Sequence, residues 1–259
     1  MYLIVILFLV CFTSAHGSYN GNPAFPKIPE EGLYVSKESY CGIKTGYIGD
    51  YVFDRNMVLH ASGLHGEVDR FQILNNLGVL SFSYLERVEA YARLGCMHAN
   101  IAHRPISDLR VRYKIKGQFA WCFGVEGIIY EHKNTIVSVN VNYFQSLPKI
   151  HAITAGGIAV EPHGAEINYL EWQGSVGVSQ AIGLFLPYIG VEYSNARAMF
   201  KKMQALNSFF PESEFTMRSE HKIGIFLGCS ITPGKTAILN VEARFVDETA
   251  LTLSGLIRF

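Results

Sequence analysis

In Leu109-Arg-Val-Arg-Tyr-Lys-Ile-Lys116 four bases alternate with four apolar residues. Successive side chains of a strand point to opposite faces. As a β-ribbon the stretch would show Arg110, Arg112, Lys114 and Lys116 on one side and Leu109, Val111, Tyr113 and Ile115 on the other. Folded over a mouth, such a stripe would gather anions and repel cations; as a strand extension it would leave the bases solvated. A second set of charges stands on the polar side of other alternating stretches: Lys44, Asp50, Glu89, Arg93, Glu126, Glu171, Glu192, Lys222, Glu242, Arg244 and Arg258. Both signs are present, so these groups are suited to pairing with one another and binding water.

Catalytic patterns are absent. Thr232-Pro-Gly-Lys-Thr236 resembles the tail of a phosphate-binding loop. Gly228 stands one residue too far from Gly234 for that motif, and no helix pattern follows. Pro233-Gly234 reads as a turn. There is no Gly-x-Ser-x-Gly and no His-Glu-x-x-His, and residues such as His98 and Ser175 show no triad-like spacing. His60, His65, His98, His103, His151 and His163 read as solvated loop histidines, and no metal or cofactor is expected. Cys41, Cys96 and Cys229 are candidates for disulfides in an exported chain, with each other or with neighbours, while Cys122 reads as an isolated strand cysteine.

The elements that would position these charges are strands. Runs of β-type residues lie at roughly 41–54, 70–84, 88–101, 118–130, 135–147, 167–180, 184–197, 218–231, 236–246 and 250–259. The gaps between them alternate between long (Arg55–Asp69, Ala102–Gly117, Pro148–Glu166, Ala198–Met217) and short (Leu85–Arg87, Glu131–Asn134, Ala181–Gly183, Thr232–Lys235). Only Asp247-Glu248-Thr249 is short on the long side. Short turns at one end and long loops at the other mark a transmembrane outer-membrane β-barrel. The expected fold is therefore all-β, about ten antiparallel strands, with twelve if 109–115 and part of 152–160 join the wall and eight as the lower alternative. In 236–246, Leu239, Val241 and Phe245 oppose Asn240, Glu242 and Arg244; in the last strand, Leu251, Leu253, Ile257 and Phe259 oppose Thr252, Ser254 and Arg258. A basic side chain facing lipid near midplane costs about 2–4 kcal/mol, so the charged face must line the lumen. With about ten strands that lumen is narrow and partly occluded.

Composition agrees: 49% hydrophobic, 13% aromatic, 17% charged and a formal net charge of +0. Charged residues make up about a quarter of an ordinary soluble domain. Nothing here favours nucleic acid. Residues 1–17 read as a secretory signal peptide, with an apolar run from Met1 to Phe12 and small residues for cleavage after it. Residues 18–40, rich in Gly, Pro and Asn, read as an irregular periplasmic segment, and 41–259 as the barrel.

Several stretches resemble the chlamydial major outer membrane protein (porin) family. They are Gly42-Ile-Lys-Thr-Gly-Tyr-Ile-Gly-Asp-Tyr-Val-Phe-Asp-Arg55, Asn22-Pro-Ala, Glu86-Arg-Val-Glu-Ala-Tyr-Ala-Arg-Leu-Gly95, Phe119-Ala-Trp121 and Tyr143-Phe-Gln-Ser-Leu-Pro-Lys149. Glu171-Trp-Gln-Gly-Ser through Phe185-Leu-Pro-Tyr-Ile-Gly-Val191, and Val241-Glu-Ala-Arg-Phe-Val-Asp-Glu248 through Ile257-Arg-Phe259, match as well. The likeness runs in patches over most of the chain, which is shorter and poorer in cysteine than full-length members. It implies a surface-exposed outer-membrane porin, not an enzyme, that passes small hydrophilic solutes and contributes to envelope structure. The terminal Phe259 would be its membrane-insertion signal. The implied partners are outer-membrane lipid, the barrel assembly machinery, a homo-trimer and disulfide-linked envelope proteins. The rival expectation is a non-conducting structural or adhesive surface barrel.

Overall fold

The structure, a computed structural model, describes residues 19–29, 31–33, 40–60, 67–106, 109–206, 214–233 and 236–259. The expected signal peptide 1–17, His65 and Gly234 lie outside the described residues.

The strands are β1 (Cys41–Arg55), β2 (Met57–His60), β3 (Glu67–Tyr84), β4 (Val88–Ile106), β5 (Leu109–His132), β6 (Thr135–Ser146) and β7 (Ala152–Ala155), followed by β8 (Ile158–Val160), β9 (Glu166–Gln180), β10 (Phe185–Lys201), β11 (Phe215–Ser219), β12 (Ile223–Ile231), β13 (Ala237–Phe245) and β14 (Glu248–Arg258). Going round the wall, β1, β3, β4, β5, β6, β9, β10, β12, β13 and β14 pair antiparallel in turn. β14 pairs back to β1 from Lys44↔Arg258 to Arg55↔Glu248. The ten-stranded ring is closed. Closure matters in lipid because each unpaired backbone group of an open edge would cost several kcal/mol there.

Two expectations change at the long-loop end. The strand expected at 218–231 breaks at Glu220–Lys222: β12 stays in the wall, while β11 bridges β10 to β2 above it. The loop expected at 102–117 is mostly strand, because its alternating apolar and basic residues continue β4 and β5 beyond the lipid band. β7 pairs onto that extension, Val111↔Ala155 to Lys114↔Ala152, and adds no wall strand.

The outward face is apolar: Leu239 is 56% exposed, Val241 47% and Leu253 56%. The interior has three layers. At the long-loop end an apolar core gathers Phe71, Tyr113, Phe144, Tyr169, Phe200 and Phe215. At the short-turn end Tyr19, Phe25 and Ile28 pack on Ile48, Val79, Ile136, Leu186, Ile238 and Leu256. Charged groups lie between the two. The segment expected in the periplasm is thus folded up into the barrel, where its apolar side chains leave water.

Candidate functional site: the occupied bore

The alternation that turns Leu239, Val241 and Phe245 outward turns Glu242 and Arg244 inward. Buried lumen charges are Lys44, Asp50, Glu89, Arg93, Glu126, Glu171, Glu192, Glu242, Arg244 and Arg258. Lys222 is the exception: it sits exposed at the break before β12. A lone charge at such depth would be prohibitive, so each needs a partner.

Two guanidiniums organise the middle layer. Arg244 places Nη2 2.7 Å from Asp50 Oδ1, Nη1 3.3 Å from Glu242 Oε1 and Nε 2.6 Å from Glu248 Oε1. Thr252 Oγ1 accepts from Arg244 at 2.7 Å and donates to Asp50 at 2.6 Å. Arg55 places Nη1 3.0 Å from Glu171 Oε1 and 3.3 Å from Glu248 Oε2, with Nη2 3.9 Å from Asp247 Oδ2. It also donates to the Tyr169 hydroxyl at 2.9 Å. Glu248 therefore joins both halves. The carboxylates of Glu192 and Asp247 converge beside Gly224, where a Cβ would run into both.

The N-terminal segment hangs on this layer through its polar groups. Asn20 and Gly21 donate backbone N–H bonds to Glu242 at 3.1 and 3.0 Å, and the Asn20 side chain donates to Glu192. Asn22 donates to the Leu186 carbonyl and to Ser230, both at 2.9 Å. Three bases of the wall take the segment's carbonyls: Arg93 that of Tyr19 at 2.9 Å, Lys44 that of Ile28 at 3.0 Å, and Arg258 that of Pro29 at 2.7 Å. Lys44 also pairs with Glu89, and Lys27 with Glu131 at the rim. Charges expected to line a narrow, partly occluded lumen and to pair there are engaged with each other and with the chain's own N-terminal residues.

Sequence reasoning missed Arg55, Asp247, Glu248 and the hooks at Asn20 and Asn22. The register of β1 shifts between Val52 and Asp54. A bulge of that kind reverses which face each later residue takes. Unbroken alternation from Lys44 and Asp50 would turn Asp54 inward; it is exposed, and Arg55 is buried instead. Asp247 and Glu248 were expected in a turn, yet both are buried.

The basic stripe lies elsewhere. Arg112, Lys114 and Lys116 are exposed and Arg110 half-buried, while Val111, Tyr113 and Ile115 point into the apolar core. The bases therefore flank the outer wall and do not cover the mouth. Of the histidines expected in solvated loops, His103 is buried, stacked against Tyr113 at 5.4 Å. Cys96, Cys122 and Cys229 are free thiols; Cys96 faces outward and Cys122 inward. Cys41 heads β1 at the short-turn rim. Phe259 donates its N–H to the Ile43 carbonyl at 2.8 Å, so the last residue takes part in the seam.

The chain has sequence relatives among known proteins. The family described as Chlamydia major outer membrane protein matches residues 152–208. The chain is similar to the major outer membrane porin of Chlamydia muridarum, at 27% identity over 82% of this chain and 73% of that one. It is also similar to the major outer membrane porin of Chlamydia pneumoniae, at 21% identity over 84% and 85%. Among solved structures, the Escherichia coli outer membrane protease OmpT aligns over 85% of this chain and 96% of its own, with 12% identity and a TM-score of 0.44. The chain is thus similar to the chlamydial major outer membrane porins over most of its length, and its fold is that of an outer-membrane β-barrel.

Proposed function

We propose that this porin-type barrel is closed in its resting state and serves the envelope chiefly as a structural surface barrel without catalytic activity. One observation carries this reading: the bore is filled from both ends, by the N-terminal segment below and by the Phe71–Tyr113–Phe200–Phe215 core above. Passive diffusion of small hydrophilic solutes needs a continuous wet path, which two apolar layers interrupt. Asp50, Glu171, Glu242 and Glu248 are engaged with Arg55 and Arg244.

A second reading, a porin opened by withdrawal of the N-terminal segment, draws support from the middle layer. Buried ion pairs are weak contributors to stability compared with apolar packing. A barrel that only anchors itself has little need of them, whereas a conduit has. The backbone of the segment supplies part of its hold, through Asn20 and Gly21 N–H and the Tyr19, Ile28 and Pro29 carbonyls, which suits a removable plug. Insertion through the barrel assembly machinery by way of Phe259, association as a homo-trimer and disulfide links through Cys41, Cys96 or Cys229 belong to this proposal.

Planar-bilayer recording of the refolded mature chain tests it. The expected result is no conductance steps from the full chain. Steps from the full chain would overturn the closed state. Steps only after deletion of residues 18–29 would favour the second reading.

A further inference from the structure

The basic stripe at 109–116 has no part in the bore, and its surroundings give it another use. On the outward wall at the long-loop end, Arg70, Arg110, Arg112 and Lys114 line a cleft of ≈ 370 Å³, with Gln72 and Asn100 as further polar groups. The register explains the gathering. Arg70 pairs with Ala102, Ala102 with Arg112, and Arg112 with Thr154. A small residue thus stands between two arginines on flanking strands, roughly 10 Å apart at the strand spacing. One row nearer the membrane, Gln72, Asn100 and Lys114 stand side by side. The acid beside the cleft, Asp69, is already engaged by Arg110 at 2.9 Å and Arg104 at 3.2 Å. The cleft keeps a net positive charge.

Height and direction identify the occupant. Lower on the same strands the outward residues are apolar and exposed: Leu80 on β3, Leu94 on β4 and Phe119 on β5. Within the cleft Lys114 lies five residues above Phe119 and Arg112 seven, which at a strand tilt near 40° puts them roughly 13–18 Å higher. The polar headgroup region of a bilayer extends about 5–8 Å beyond the hydrocarbon. Lysine and arginine side chains several ångströms long span the remaining distance. Because the cleft opens sideways from the wall, what stands against it is a headgroup of the leaflet and not a solute above the mouth.

We propose that this cleft binds the phosphate groups of a phosphorylated glycolipid of the outer leaflet, of the lipid A class. Arg70 and Arg112 supply forked donors that suit phosphate, Lys114 a point charge below them. Phe119 and Leu94 then lie beside the acyl chains. The proposal rests on the outer-membrane barrel reading and on long loops facing outward.

The test uses the mature chain refolded in detergent micelles, with retention of bis-phosphorylated lipid A read by native mass spectrometry. Heat-modifiable gel mobility first checks the barrel, and failure there would count against the fold and not the cleft. Arg70→Gln/Arg112→Gln/Lys114→Gln should fold normally, since all three side chains are exposed. It should retain the glycolipid about tenfold less well through loss of charge-assisted hydrogen bonds. The equal-charge control Lys133→Gln/Lys201→Gln/Lys202→Gln should leave retention unchanged. Lipid A stripped of its phosphates should bind the native chain about as weakly as the intact glycolipid binds the triple variant. Undiminished retention by the triple variant, or equal binding of the stripped glycolipid, would overturn the site. Displacement by millimolar inorganic phosphate would show a site for free anions and overturn the lipid assignment. Should the triple variant not fold, Arg112→Gln alone must still weaken retention.

Discussion

Arg244 and Glu248 face each other across the β13–β14 connection, Nε to Oε1 at 2.6 Å, both wholly enclosed by the wall. Glu248 turns its other oxygen to Arg55, 3.3 Å away. One carboxylate therefore couples the last two strands to the far end of the first, at the seam where the barrel closes. Breaking a buried pair by removing one partner strands the other charge, at about 3–5 kcal/mol. Arg244→Leu, which removes the cationic partner of Asp50 and Glu242 and leaves Glu248 only Arg55, should lower the urea midpoint of the detergent-refolded barrel steeply. Arg244→Lys should recover only part of the loss, because a lysine cannot serve three acids with fixed directions. A midpoint for Arg244→Leu close to that of the native chain would show that the middle layer does not hold the seam.

The segment inside the barrel can be loosened without touching the wall. Gly21 has φ 94, and a Cβ there would strike the Phe25 ring. Alanine at a positive φ is strained by about 1 kcal/mol or more. Gly21→Ala should weaken the two backbone bonds to Glu242 and free the segment. Tryptic cleavage after Lys27 is the readout: slow in the native chain, where Lys27 pairs with Glu131, and faster in the variant. Equal rates would mean that the segment is not held by its Asn20–Gly21 hook.

Most of the wall was legible because lipid enforces a simple rule on each strand, apolar out and polar in. Val241 and Leu253, paired across β13 and β14, show it without exception nearby. Periodicity fails where it is interrupted. The bulge after Val52 exchanged Asp54 for Arg55, and no residue type there announces a bulge. The stripe 109–116 alternates as expected, but alternation alone does not say which face turns inward. The apolar face won because Phe200 and Phe215 already fill that end, 4.4 Å apart between ring centres. The path of residues 19–29 was not legible, since it depends on hydrogen-bond partners scattered over strands that include β1, β4, β10, β12, β13 and β14.

Cysteine chemistry distinguishes the two faces. Cys96 is exposed on the outward wall beside Phe119, whereas Cys122 is buried in the interior next to Arg93 in register. In single-cysteine variants placed in liposomes, Cys96 should react with an apolar maleimide that partitions into lipid and resist a charged one. Cys122 should resist both until the barrel is unfolded. Reaction of Cys122 with the charged reagent in the folded state would show a water-filled bore at that height.

His103 gives the core at the long-loop end a dependence on pH. It lies in the part of β4 that rises above the lipid band, between the rings of Tyr113 and Phe215 at 5.4 and 5.3 Å. Burial pushes its imidazole down to about 3. An exposed histidine titrates near 6.5, so the unfolded chain binds a proton that the folded one refuses across the interval between. The neutral ring's contribution is fully present above about pH 6.5 and is lost as the pH falls through that interval. The temperature at which the heat-modifiable gel form is lost should therefore drop on acidification below about pH 6.5. His103→Phe keeps an aromatic ring in the stack and removes the proton site, so it should flatten that decline. The two curves should diverge on the acid side, with the native chain falling faster. Parallel curves would show that the acid sensitivity belongs to the buried carboxylates and that protonation of His103 is accommodated at that end.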